Sequence, residues 1–428
     1  MISIIILLII EGLAFFFINQ IFELTLVDYQ VASSLLLVIN TIVFVSLLGK
    51  YSRNKTEYII LIFAYFIRII LLYWDMYGSD IFSLPNSGVD SEGFHRNALN
   101  VAEGLSSGQG GNYSIFLGGI YYLFGEQRII GQYVNVLFGM FTILLLKKIF
   151  EKIIKNNKIF LTLLLIVSFL PNFAVMNVIL LRESIIIFLV TLSLYFFLKW
   201  WKKGSFIKLM IALILPIIAS LFHSGSIAIV LGYIIIITFY DRRSRRFIFN
   251  YQTVISGILG IGLLFILNTL FSDLLFSKFN SIDSAADLNK TAQAYTDGGS
   301  AYLQNIESNN PIIMILLTPI RMFYFIASPL PWDWRSFSDI FAFMFSSLFY
   351  IITIFFGIRS LNIKNTDYKN LNIALLIMAV VTMIFFSWGV SNSGTALRHR
   401  EKFLAIYMLL LAISYIRLKN KKTNKNLN

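Results

Sequence analysis

The sequence predicts an all-α fold: a polytopic membrane bundle of about twelve transmembrane helices, with re-entrant or interfacial segments and two long external loops. Three observations predict it. Apolar residues make up 57% of the 428 residues and charged residues only 13%, whereas soluble domains run near about 45–50% and about 25%. Uncharged stretches recur that match the roughly 20 residues a helix needs to cross a bilayer. These stretches do not alternate polar and apolar residues, as the strands of a membrane barrel would. The composition excludes an ordinary soluble domain, a disordered chain and a collagen-like fibre. Cys is absent, which excludes a disulfide framework, a thiolate metal site and a cysteine nucleophile.

Taken in order, the predicted spans are 2–22, 29–49, 57–75, 129–147, 158–176, 183–201, 206–222, 224–240, 253–272, 338–358, 372–390 and 402–417. Each is an apolar run bounded by polar or charged residues. The first has no basic leader and carries Glu11 within its apolar run, so it reads as a retained span and not a cleaved signal. Two further apolar segments, 113–124 and 312–328, are too short or too interrupted to cross. The second holds Arg321 in its middle and has Pro319, Pro329 and Pro331 around it. Both are expected to be re-entrant or interfacial pieces covered by protein or water. No linker or internal repeat divides the chain, so residues 1–428 read as one membrane domain with external loops near 76–128 and 273–337 and a basic tail over 418–428.

The net charge of +13 invites a nucleic-acid reading, but its distribution argues against one. With the N-terminus in the cytoplasm, 24 of the 35 basic residues fall on the inner side, opposed there by Glu57, Glu151, Asp241 and Asp367. The excess charge is therefore an orientation device under the positive-inside rule, and no nucleic-acid partner is expected. Both termini are cytoplasmic in this reading. Glu11 and Arg68 lie at similar depth in spans that run the same way. They are expected either to pair with each other or to stand separately, Arg68 snorkelling and Glu11 protonated.

The remaining polar residues gather on the external side. Gly88-Val89-Asp90-Ser91-Glu92-Gly93-Phe94-His95-Arg96 sets two carboxylates beside a His and an Arg. Such a pair serves as base and charge stabiliser, or holds a divalent cation through carboxylate oxygens; a solvated polar loop is the plain alternative. Arg182-Glu183 opens a span, where Arg182 would meet a phosphate at a helix start or serve only as an interface anchor. Phe222-His223-Ser224-Gly225 lies between two spans, and His223 would donate to a phosphate or move a proton, unless it merely caps a helix. The densest cluster is Ser391-Asn392-Ser393-Gly394-Thr395-Ala396-Leu397-Arg398-His399-Arg400-Glu401-Lys402. It places cations on the side where the orientation rule disfavours them. A phosphate or pyrophosphate held by Arg398, Arg400 and Lys402, joined by Arg321, supplies the reason; an anchor for anionic lipid is the alternative. Asp90, Arg182, His223 and Arg398 are expected to converge on one hollow that opens away from the cytoplasm. Aromatic residues in the external loops, such as Tyr113, Tyr121, Tyr122, Trp332 and Trp334, suit sugar rings or an interfacial belt equally.

Asp90-x-Glu92-x-Phe94-His95-x-x-Ala98, then Phe116-Leu117-Gly118-Gly119-Ile120-Tyr121, Phe124-Gly125 and Asn135, together with Leu180-Leu181-Arg182-Glu183, Leu221-Phe222-His223-Ser224 and Arg398-His399-Arg400, resemble bacterial polysaccharide polymerases of the Wzy and EpsG type. More broadly they resemble the GT-C glycosyltransferases, although in those the acidic motif sits in the first outer loop and here it follows the third span. The resemblance covers about residues 57–417. It implies an enzyme of the bacterial cytoplasmic membrane that joins undecaprenyl-pyrophosphate-linked oligosaccharide repeats into capsule, exopolysaccharide or O-antigen. It further implies Arg182, Arg398 and Arg400 on the pyrophosphate, Asp90 or Glu92 as base, and His223 or His399 assisting. No metal is required if arginines stabilise the leaving group, though a divalent cation at Asp90 and Glu92 is an open alternative. The expected partners are the polyprenyl-linked substrate, the lipid bilayer and other assembly proteins such as a flippase and a chain-length regulator. Competing readings are a transferase of single sugars from a polyprenyl-phosphate donor, an O-antigen ligase, and a lipid-linked-oligosaccharide flippase.

Overall fold

The computed structural model describes residues 1–22, 25–105, 110–270, 300–303, 310–363 and 368–425. Much of the predicted external loop 273–337 lies outside the described residues, as do Lys364 and Asp367 on the predicted inner side. Helix dominates, and the protein is an α-helical membrane bundle. Seven helices among the described residues are long and apolar enough to cross a membrane: Ile2–Phe22, Val27–Tyr51, Lys55–Tyr77, Arg128–Ile153, Glu183–Lys203, Phe337–Leu361 and Lys369–Trp388. Other predicted spans are helical but shorter, as at Phe206–Phe222 and Ser224–Phe239. The chain divides into two compact units, one formed by Met1–Leu144 and Leu164–Phe188, the other by Leu145–Leu163 and Leu189–Asn428.

In the first unit, α1 (Ile2–Phe22), α2 (Leu26–Tyr51) and α3 (Lys55–Tyr77) present rows of exposed Ile, Val and Phe, the surface a bilayer solvates. A capping box of Thr25 and Asp28 starts α2, and the Asn54 side chain caps α3. The predicted polar loop then folds into two helices that the sequence reading left as loop and short apolar piece: α4 (Val89–Ala102) and α5 (Gly111–Phe124). They pack closely because Gly118 leaves space for Val101 and the Ala98 carbonyl, which a Cβ there would meet. Next come α6 (Arg128–Ile153) and α7 (Asn157–Phe169). The predicted span 158–176 is broken. Pro171 opens a separate short helix, α8 (Pro171–Met176), with Leu170 extended before it.

The broken backbone is covered from within the first unit, and this corrects the expected Glu11–Arg68 pair. Arg68 is fully buried; it donates through Nε to Asn177 Oδ1 at 2.9 Å and through Nη1 to the Ser168 carbonyl at 3.0 Å. Asn135 Nδ2 donates to the Ile179 and Leu181 carbonyls at 2.9 and 3.0 Å. Carbonyls freed by the helix break thus find donors, as low-dielectric surroundings demand. Glu11 instead accepts from Asn40 Nδ2 at 2.7 Å. Arg68 and Glu11 each brace their own neighbours.

The chain continues through α9 (Glu183–Lys203). The second unit holds α10 (Phe206–Phe222), a 3₁₀ turn (Ser224–Ile227), α11 (Ala228–Phe239), a two-residue ribbon pairing Tyr240–Asp241 with Arg246–Phe247, and α12 (Tyr251–Leu270). It ends with α13 (Pro311–Ala327), α14 (Phe337–Leu361), α15 (Lys369–Trp388), α16 (Ser393–Glu401) and α17 (Leu404–Lys425). Along its first half α17 is buried against α14 and α15. Arg417 Nη2 closes the ends of this packing on the Ser360 and Ile363 carbonyls at 3.1 and 2.9 Å. A π-helical turn, Phe343–Ser347, interrupts α14 and turns Ser346 and Ser347 inward.

Candidate functional site

Each unit carries a polar cluster with titratable groups. In the first, Gly88, at φ +148°, turns the chain into α4, whose first turn holds Asp90 and Glu92. Carboxylates suit the positive end of a helix. Helical spacing then sorts the side chains: Asp90 shares a face with Phe94, and Ser91 with His95. Asp90 and Glu92 are exposed. Arg128, the first residue of α6, gathers the acidic groups. Its Nη1 donates to Glu92 Oε1, its Nη2 donates to Ser91 Oγ at 3.2 Å, and Nη2 lies 3.7 Å from Asp75 Oδ2. Gln132, one turn further, donates to the same Asp75 oxygen at 2.5 Å. Asp75 is buried at the end of α3, and its Oδ1 has no hydrogen-bond partner.

His95 lies beside this cluster, with Nδ1 2.8 Å from the Tyr121 hydroxyl. Burial first, and the positive charge of Arg128 second, push the imidazole below its usual pKa, while Glu92 pulls the other way. His95 is therefore neutral at pH 7. Burial raises the Tyr121 phenol, so that hydroxyl stays protonated. Arg182 reaches α4 from the chain before α9, its guanidinium 5.6 Å from the centre of the Phe94 ring. Arg182 and Asp90 thus address the same helix face. The sequence reading missed Asp75, Arg128 and Gln132. The available signal was an Arg-x-x-x-Gln pair on one face at the start of α6, with an Asp ending a long apolar run.

In the second unit His223 terminates α10 and caps the 3₁₀ turn, accepting at Nδ1 from the Gly225 N–H at 3.2 Å. That bond leaves Nε2 to carry the proton of the neutral ring. The ring stacks on Phe386 (5.4 Å, 17°) and meets the edge of His399 at 4.7 Å. Gly225 permits the approach, because a Cβ there would strike Phe386 and His223. Lys402, fully buried, places Nζ 2.7 Å from His399 Nδ1 and 5.8 Å from the centre of the Phe386 ring. Arg321, on α13, stacks its guanidinium 4.4 Å over Trp388 and donates to Ser391 Oγ at 3.4 Å. Residues 300–303 strap this corner: Ser300 O accepts from Ser393 N at 3.0 Å, and Ser300 Oγ donates to Asn392 Oδ1 at 2.9 Å. Asn392 in turn caps α16, on which Arg398 lies half-buried. His223, His399 and Lys402 therefore meet beside Phe386, while Arg321 stacks on Trp388 and Arg398 shares α16 with His399.

Arg400 does not present itself there, a correction to its expected role on a ligand. It is fully buried. Its Nε donates to Ser346 Oγ at 3.2 Å, Nη1 to the Ile326 and Ser328 carbonyls at 2.7 and 2.8 Å, and Nη2 to Ser347 Oγ at 2.9 Å. The Tyr350 ring lies 5.4 Å away. Burial lowers its pKa to about 10, which still leaves it charged at neutrality. Arg400 ties α13, the π-helical turn of α14 and α16 together.

Of the four residues expected to converge, Asp90 and Arg182 lie in the first unit, where the Arg182 guanidinium stands over the Phe94 ring, and His223 and Arg398 lie in the second, where His223 meets His399. Among the described residues no group of three or more His, Asp or Glu side chains is placed to hold a metal ion. Compared with family models, curated proteins and solved structures, the chain matches none.

Proposed function

We propose that this protein is a membrane glycosyltransferase of the polysaccharide-polymerase kind, joining polyprenyl-pyrophosphate-linked oligosaccharide repeats at the outer face of the bacterial cytoplasmic membrane. The observation that carries the reading is the basic corner of the second unit. His223, His399 and Lys402 meet beside Phe386, Arg321 stacks on Trp388, and Arg398 lies on the same helix as His399; the sequence expectation puts this corner on the side where the orientation rule disfavours cations. A diphosphate accounts for such a set: arginine forks match its oxygens, and histidine protons supply the rest. In the reaction, the bond from the anomeric carbon to the pyrophosphate breaks and its electron pair leaves on the phosphate oxygen. A new bond forms to an acceptor hydroxyl, whose proton passes to a carboxylate. Fixed cations at the departing charge lower the barrier most. Asp90 and Glu92 lie in the first unit, where Arg128 holds Glu92. A divalent cation there would have to displace Arg128 from Glu92.

Transport is the weaker reading, because the deep charges Arg68 and Glu11 are engaged by carbonyls and amides rather than lining a path. The test is a deletion strain profiled for polysaccharide length and for lipid-linked repeats. Loss of long chains with accumulation of single lipid-linked repeats, restored by the wild-type gene and not by Arg398→Ala, is the expected result. Unchanged chain length in the deletion strain sinks the proposal.

A further inference from the structure

A second feature of the first unit is a cavity of about 220 Å³ where α1 and α2 meet the far end of α5. That is smaller than the roughly 300–1,000 Å³ of sites for drug-sized ligands, and suits a single sugar ring. Its walls are of two kinds. Phe16, Tyr29, Tyr121 and Tyr122 contribute aromatic surface. The Phe16 and Tyr122 rings lie 5.2 Å apart, and Tyr29 is held 5.5 Å from Phe15. Gly125, at φ +73°, admits the Tyr29 ring, which any Cβ there would strike. Asn19, Gln20, Glu103 and Glu126 contribute planar amides and carboxylates. Among the described residues no Lys, Arg or His lines the cavity.

The lining selects a ligand class. Aromatic faces pack against the C–H faces of a pyranose, and amides and carboxylates bond its hydroxyls. Two carboxylates without a cation repel phosphate and carboxylate groups. An anionic lipid headgroup, a pyrophosphate and a uronic acid are disfavoured, while an uncharged sugar or an amino sugar is accepted. Tyr121 connects the cavity to the cluster already described, since its ring lines the cavity and its hydroxyl pairs with His95.

We propose that this cavity binds an uncharged or amino-bearing sugar ring, as the acceptor-sugar subsite of the enzyme. Only the word acceptor rests on the polymerase reading; the sugar site itself does not. The test uses the full chain in lipid nanodiscs and saturation-transfer difference NMR with galactose, N-acetylglucosamine, glucosamine and glucuronate as probes. Expected is transfer to at least one of the first three and none to glucuronate, lost on Tyr122→Ala and weakened by Glu126→Gln. Both residues are exposed, so the variants keep the fold. Transfer to none of the sugars, equal transfer to glucuronate, or transfer unaffected by both substitutions overturns the site. Binding as expected alongside normal polymer length in the deletion strain would remove the polymerase reading and leave the sugar site standing.

Discussion

Arg128 and Arg400 both occupy helix ends beside a carboxylate-bearing helix turn, yet they are held in opposite ways. Arg128 keeps 18% of its side chain exposed and is paired with Glu92, itself 51% exposed, and with the buried Asp75. Arg400 is fully buried and bonded to neutral carbonyls and hydroxyls. An ion pair open to water exchanges partners at little cost. A guanidinium sealed among carbonyls leaves several unpaired groups if removed. Exposure and partner chemistry therefore separate a cation able to meet a ligand from one that holds the fold, and half-burial places Arg398 nearer the first kind.

The strongest way to break this comparison is Arg400→Ala. Removing Arg400 strands buried carbonyls and hydroxyls at a cost of about 1–3 kcal/mol each, so folded protein in the membrane fraction should fall sharply. Normal abundance of this variant would return Arg400 to the list of ligand contacts. Arg398→Ala should instead leave abundance near wild type while long polymer disappears; loss of protein in parallel with polymer would make it scaffold as well. Within the first cluster, Asp75→Ala should destabilise by about 3 kcal/mol, because Arg128 loses its buried partner. Glu92→Gln should cost no more than about 1 kcal/mol, the scale of an exposed pair. Thermal unfolding of purified protein ranks the two, and a reversed order contradicts the assignment.

The smallest effect concerns pH. His95 has a depressed pKa in the folded protein, so below the ordinary value of about 6.5 the unfolded chain binds the proton more readily. Stability is therefore full above that value and declines as pH falls through it. His95→Gln should flatten the acid side of a stability profile between about pH 7.5 and 5.5; an unchanged slope would show that another group sets it.

Much of the bundle was legible because hydrocarbon imposes length and polarity on each span independently of the others. The predicted 57–75 and 183–201 are found as Lys55–Tyr77 and Glu183–Lys203. The break at Pro171 was readable from one residue, yet the apolar run concealed it. The cationic corner was half legible: Arg398, His399 and Lys402 are neighbours in sequence, but the meeting of His399 with His223 is not written in any local pattern. Arg128 was passed over because Glu92 and Asp75 lie on other helices; Glu92 is 36 residues away.

By itself the sequence determined the helical membrane class, several of the long apolar helices and the polar passages, since transfer between water and lipid is settled residue by residue. Only the tertiary structure decided which charges keep some exposure and which brace the backbone. That choice depends on burial and on partners brought from distant segments: Arg400 received carbonyls and hydroxyls, and Arg128 received carboxylates.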